Sequence, residues 1–318
     1  MNKKEAIILL NMGGPNNLLE VETFLRNMFA DENILTTKSK LLRKFIGNMI
    51  VTSRAENARK VYEELGGKSP IVDHTKKLVA KLQDMVPDEV YVDFAMRYTP
   101  PFAKEVCNRL EEMDIRDIYL IPLYPQYSTT TTKSSLEDFE AAYAKVGGNA
   151  RIHKRGNFYR MSSYNEVILE RIKEILDDAD ASEFELIFSA HGLPQKIIDR
   201  GDPYQKQITH HVELLKEELI KGGVLFKDVH LAYQSKVGPM KWLEPSLEEK
   251  LKELKSKKVV IFPIAFTIDN SETDFELSIE YAEVAKELGF KEYKVARCPN
   301  DHPLFATTLH NIYLEMKE

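Results

Sequence analysis

Short apolar runs alternate along the chain with longer stretches in which apolar residues recur at helical spacing. The runs Ala6–Met12, Val90–Arg97, Ile118–Tyr124, Phe184–Ala190, Val229–Gln234 and Val259–Phe266 are candidate strands. Several are apolar almost throughout, as strands buried on both faces are. Helical periodicity falls near 18–30, 55–65, 73–85, 101–113, 134–146, 162–178, 203–221, 246–255, 271–288 and 302–317. Strand–helix alternation predicts parallel sheets covered by helices, with right-handed crossovers. The segment 147–160, rich in glycine and charge, breaks the alternation. The expectation is therefore an α/β protein of two doubly wound, Rossmann-like halves, 1–150 and 151–318, with a cleft between them.

The residues with chemistry collect just past the predicted strands: Met12–Pro15, Arg97-Tyr98, Gln126–Ser128, Ser189–Gly192, Gln234–Lys236 and Asp269–Glu272. In open α/β sheets the carboxyl ends of the strands are where ligands bind.

Composition narrows the function. The 318 residues carry a net charge of −6, with 43% hydrophobic and 30% charged residues. That balance is globular, and the negative sign argues against a nucleic-acid partner. Cys107 and Cys298 stand far apart, outside any C-x-x-C pair, so neither a disulfide framework nor a four-thiolate metal site is expected, as suits a reducing compartment. The apolar run near Met1 ends in Gly-Gly-Pro without a small-residue cleavage site, and reads as a buried strand instead of a signal peptide. No apolar stretch approaches the ~18 residues that span a bilayer. A soluble, cytoplasmic protein is expected.

Nucleotide chemistry finds no support. Gly13-Gly14-Pro15 is not G-x-G-x-x-G, and Pro15 removes an amide that a phosphate loop would use. A tight turn is expected there. The hydroxyl-rich run Ser128–Ser135 is expected to cap a helix starting at Ser134.

Eight histidines occur. His74, His153, His210, His230, His302 and His310 are assigned to helical or connecting segments without a second ligand at metal spacing, and His211, beside His210, to a solvated helix face. His191 differs. It follows the strand run 184–190 and precedes Gly192-Leu193-Pro194, so it should project from a strand end. Glu272, after the strand run 259–266, occupies a similar strand-end place in the pattern. An imidazole with a carboxylate suits Fe(II), which accepts nitrogen and oxygen donors, and the same pair can take up protons. Glu272, Glu276 and Glu280 recur every four residues, and a local π-bulge would straighten them into an acidic line.

Two segments are unusually apolar for a surface. In 37–54, Leu41, Leu42, Phe45, Ile46, Met49 and Ile50 alternate with Lys38, Lys40, Arg43, Lys44 and Arg54. This basic amphipathic helix suits core packing, a membrane-facing lip, or a wall of an apolar pocket. Trp242, the only tryptophan, lies in the apolar loop Val237–Leu243. Beside a polar His/Glu pair, these segments describe a site for a large, flat, mostly apolar molecule.

Taken in order, several segments resemble the ferrochelatase family: Leu9–Pro15, Gly67–Ile71, Arg97-Tyr98, Tyr124–Ser128, Phe188–Pro194, Arg200–Tyr204, Tyr233–Met240 and Phe262–Phe266. The resemblance implies insertion of Fe(II) into protoporphyrin IX, giving protohaem and two protons. It implies that His191 and Glu272 bind metal and accept protons, with Glu276 and Glu280 on a delivery path. Met12, Tyr98 and Trp242 would line the macrocycle, and Arg54 with Ser69 would hold its propionates. Methionine at 12, where some members carry tyrosine, resembles the protoporphyrin-using branch. Iron is then a substrate, no cofactor is permanently bound, and the cysteine-ligated iron–sulfur cluster of some members is not expected. Asn270 departs from the family's Asp-His-x-Glu pattern, so a second imidazole is not essential here. A cobalt or nickel tetrapyrrole chelatase and a non-catalytic haem carrier are the alternative readings, and segment 37–54 is a candidate for peripheral membrane contact.

Overall fold

The computed structural model describes residues 3–236, 238 and 240–318; Met1, Asn2, Val237 and Pro239 lie outside them. The chain divides into two compact units, one of Met1–Asn157 with Ala306–Glu318 and one of Phe158–Phe305.

The first unit is built on a four-stranded parallel sheet of order β2-β1-β3-β4, with β1 Glu5–Asn11, β2 Val90–Met96, β3 Asp117–Pro122 and β4 Arg151–Lys154. Ile7, Ile8 and Leu9 in the central strand are wholly buried, because a parallel sheet is covered on both faces. One face packs Ala6, Ile8, Leu10 and Leu120 against Cys107 and Leu110 of helix α4 (Ala103–Glu112) and Phe139 of α5 (Ser134–Lys145). The other helices here are α1 (Val21–Ala30), α2 (Lys40–Glu64) and α3 (Ile71–Gln83).

The second unit repeats this plan. Its parallel sheet has the order β6-β5-β7-β8, from β5 Glu185–His191, β6 Val229–Gln234, β7 Lys258–Pro263 and β8 Glu292–Val295. Ile187, Val259 and Ile261 form a core with Leu247 and Leu251 of a short helix (Leu247–Glu253) and Leu277 of a π-helix, Glu272–Glu280. Helices Ser162–Leu176 and Tyr204–Lys221 belong to the same unit.

Four expectations change. The joint foreseen at 147–160 contains β4, whose register places Arg151 beside Asp117, so the unit boundary falls at 157/158 and not at 150/151. The C-terminal residues from Ala306 belong to the first unit, where Lys317 Nζ pairs with Glu5 at 3.0 Å and Tyr313 donates to the same carboxylate. The two helical patterns 37–54 and 55–65 are one helix, capped by the Ser39 hydroxyl, which accepts from Leu42 N. The hydroxyl run is itself helical: Thr129–Lys133 form a π-turn capped by Ser128, which accepts from Thr130 N at 3.1 Å. The expected turn at Gly13-Gly14 is present, with φ of +82° at Gly13, and a side chain at Gly14 would sit 2.6 Å from Ser69 Cβ.

Candidate active site

Parallel pairing brings the carboxyl ends of β5, β6 and β7 to one edge of the second sheet. His191 is the last residue of β5 and pairs with Gln234, the last of β6. Two contacts fix its backbone: Tyr204 Oη donates to its carbonyl at 2.9 Å, and Gly192 N donates to the Gln234 carbonyl at 2.8 Å. Gly192 is needed there, since a Cβ would stand 2.7 Å from that same carbonyl oxygen.

Glu272 opens the π-helix that follows β7. Asn270 sets its start: the Asn270 side chain is buried, its Oδ1 accepts from Glu272 N at 2.8 Å, and its amide donates to the Ile268 carbonyl at 3.0 Å. His191 Nδ1 and Glu272 Oε2 then meet at 2.7 Å, with side chains 36% and 22% exposed. The pair is sheltered yet open to a reactant.

The π-turn spacing carries Glu276 round to the same side. Ser235 N donates to Glu276 Oε1 at 2.7 Å, and Ser235 Oγ lies 2.6 Å from Glu276 Oε2 and 3.0 Å from Glu272 Oε2. Gln234 is wholly buried, accepts from Ser189 Oγ at 2.8 Å and donates to Glu276 Oε2 at 3.2 Å. Glu280, two turns along, is exposed.

Burial works against charge on the His191 ring, but the Glu272 carboxylate outweighs it and holds the imidazole above its usual value. The converse holds for Glu272: burial raises its pKa, and the imidazolium with the Ser235 hydroxyl pulls it below the ordinary range. Glu276 makes no contact with the imidazole, and its bonds from Ser235 and Gln234 do not offset its burial. Burial, then the Glu272 charge, push it up to about 7. Three titratable groups whose proton affinities are shifted by one another and by burial therefore share one strand edge.

The ferrochelatase family model matches residues 4–317. The ferrochelatase of Sulfurimonas denitrificans is 61% identical over 99% of this chain and 100% of its own length. Those of Nitratiruptor and Wolinella succinogenes are 58% and 50% identical, over 98% and 95% of this chain and 100% and 96% of their own. The chain belongs to the ferrochelatase family. It is a lyase of haem biosynthesis that inserts ferrous iron into a porphyrin. Among solved structures, SirB from Bacillus subtilis superposes with a TM-score of 0.59 over 98% of this chain and 95% of its own, at 12% identity, and so shares the fold.

The remaining ferrochelatase-like positions fall as follows. Met12 is partly buried in a cluster with Tyr98, Phe24 and Val51, and Tyr98 N donates to the Met12 carbonyl at 3.0 Å. Tyr98 itself is buried, its hydroxyl bound to Asp31 at 2.8 Å. Asp31 also takes a contact at 3.2 Å from Arg97, which reaches Asp138 on its other side. Ser69 is buried and Arg54 is exposed on α2. Trp242 is half-buried, and its ring would lie 3.6 Å from a Cβ on Gly192, placing it beside His191. Val237 and Pro239 of its loop lie outside the described residues. Helix α2 packs Gly47 and Val51 inward over its first half but leaves Leu41, Phe45 and Met49 82%, 61% and 59% exposed. Among the described residues no helix is long and apolar enough to cross a membrane.

Three histidines differ from expectation. His211 is wholly buried, not solvated; its Nε2 meets Asn165 Oδ1 at 2.9 Å, and burial, then the charge of His210, hold its pKa down at about 3. His153 and His230 sit on strands, paired with Asp117 at 3.0 Å and Glu185 at 2.7 Å. Sequence reasoning missed the roles of Ser235, Gln234, Ser189 and Tyr204. The first three were visible as strand-end polar residues, but nothing in their spacing told which carboxylate they would hold.

Proposed function

We propose that the porphyrin is protoporphyrin IX and that His191 and Glu272 form the centre where Fe(II) is received and pyrrole protons leave. The contact of 2.7 Å between them is the observation that supports this reading. The reaction balances without oxidant or reductant: Fe(II) enters, two N–H bonds break, and two protons depart. A base beside the ring nitrogens is therefore what the chemistry asks of the protein, and metallation is accelerated by whatever the site binds better at the transition state than before it. Glu272 and His191 together offer one oxygen and one nitrogen donor to the metal, and the imidazole, held above its usual value, offers a base. Glu276, pushed up to about 7, suits onward passage of protons or metal towards Glu280.

Met12, Arg54 and Trp242 are the proposed porphyrin contacts. Arg54 offers charge to a propionate and Trp242 an apolar ring face beside His191. Tyr98 and Ser69, expected to touch the macrocycle and a propionate directly, are both buried, and the proposal keeps them as supports only, Tyr98 packed with Met12 and Ser69 against the Gly14 turn. The exposed apolar row on α2, preceded by Lys40 and interrupted by Lys44, suits contact with an anionic membrane surface. Cytoplasmic location is consistent with two separately buried free thiols.

Pure protein mixed anaerobically with Fe(II) and protoporphyrin tests the reading. The expected result is catalytic loss of porphyrin fluorescence, faster than with coproporphyrin and faster than cobalt or nickel insertion. Haem binding without turnover would make the chain a carrier, and a preference for another metal or ring would overturn the substrate assignment.

A further inference from the structure

Among the described residues, four other than glycine have a left-handed backbone: Asp114, Asp177, Ser235 and Asn300. Aspartate and asparagine tolerate that region through their short polar side chains. Ser235, at φ +65°, is the exception, and it stands at the end of β6 beside the paired carboxylates.

The conformation has a geometric consequence. It turns the Ser235 N–H towards Glu276 Oε1, 2.7 Å away, while the hydroxyl of the same residue reaches Glu276 Oε2 at 2.6 Å and Glu272 Oε2 at 3.0 Å. One residue thus grips both oxygens of one carboxylate and touches the other carboxylate. Glycine would take this backbone without strain but would bring no hydroxyl. A left-handed residue of an unfavoured type, held where a functional group needs it, marks a site at which stability is given up for function.

We infer that Ser235 is a positioning residue for metal insertion: its hydroxyl and amide hold Glu272 and Glu276 in line on the π-helix, so that Glu272 faces His191 in a fixed orientation. The inference rests on the proposed role of the His191/Glu272 pair and adds to it a residue that acts through the two carboxylates it holds.

The Ser235→Gly variant tests it. This change relieves the backbone and keeps the amide, removing the hydroxymethyl group and with it the hydroxyl. The expected result is a melting temperature at or above that of the wild type, a porphyrin KM within about twofold, and a kcat lower by roughly tenfold or more, the scale set by losing a hydrogen bond to a charged group. Wild-type kcat, or a raised KM with kcat kept, would overturn the inference. So would a fall in kcat accompanied by a fall in melting temperature, since the hydroxyl would then be a structural tie. Glu272→Gln measured in parallel separates the two levels: wild-type turnover there would sink the reading of the pair itself, whereas its loss with Ser235→Gly unaffected would sink only the role given to Ser235.

Discussion

Glu276→Gln should stabilise the protein at alkaline pH and do so progressively less towards acid. In the folded chain burial and the neighbouring Glu272 charge push the Glu276 carboxyl up to about 7, from an ordinary value of 4.5. A raised acid favours its neutral form in the native state. Its stabilising contribution is therefore complete below pH 4.5 and is lost as pH rises through about 7. The interval between those two values, at ~1.4 kcal/mol for each tenfold change in protonation equilibrium, sets a ceiling of about 3.5 kcal/mol. Partial solvent access at Glu276 keeps the real figure below that ceiling. Glutamine preserves the shape and the acceptor facing Ser235 N, and never acquires the charge. Urea unfolding followed by far-UV circular dichroism at pH 5 and pH 8 reads the effect. The advantage of the variant over wild type should be larger at pH 8 than at pH 5 by about 1–3 kcal/mol. An advantage that is constant with pH, or larger at pH 5, would refute the assignment of Glu276 as a carboxylate crowded by Glu272.

The other predictions concern the same strand edge. Glu272→Gln should lower the metallation rate by roughly 10²–10⁴, the usual contribution of a placed base, with porphyrin KM little changed in steady-state assays. In Gly192→Ala the new methyl group would meet the Gln234 carbonyl oxygen at 2.7 Å, so the end of β5 must shift; turnover should fall with the far-UV spectrum retained. Emission from Trp242, the single tryptophan, should be quenched saturably on titration with protoporphyrin, and an unquenched signal at saturating porphyrin would remove it from the contact set.

The sequence discloses the central strands β1, β3, β5 and β7 because they are buried on both faces and therefore apolar nearly throughout. It conceals β4 and β8, which are edge strands of only four residues each. Arg151-Ile152-His153-Lys154 and Glu292-Tyr293-Lys294-Val295 are only partly covered, so no apolar run announces them. His191 and Glu272 are legible because each follows a strand run, and parallel pairing of β5 with β7 brings their ends together. The four-residue repeat of glutamates announces a helix there, but its π winding only as one way of bringing them into line. The π-turn at Thr129–Lys133 is not, since its hydroxyl residues serve as well for capping as for winding. His211 misled because its neighbour His210 does face outward; only the packing of Tyr164 and Asn165 against the helix shows which of the two is inside. Asn270 reads as a missing imidazole in sequence, whereas in the fold its side chain supplies the acceptor for the first amide of the Glu272 helix.

The central claim is that an imidazole at 191, held by the carboxylate at 272, is where iron meets the porphyrin. Anaerobic stopped-flow mixing of Fe(II) with the porphyrin complex of His191→Ala tests it most directly, porphyrin binding being followed by fluorescence and metallation by the shift of the Soret band. The account predicts normal porphyrin binding with metallation slowed at least a hundredfold. Metallation at the wild-type rate in that variant would contradict it.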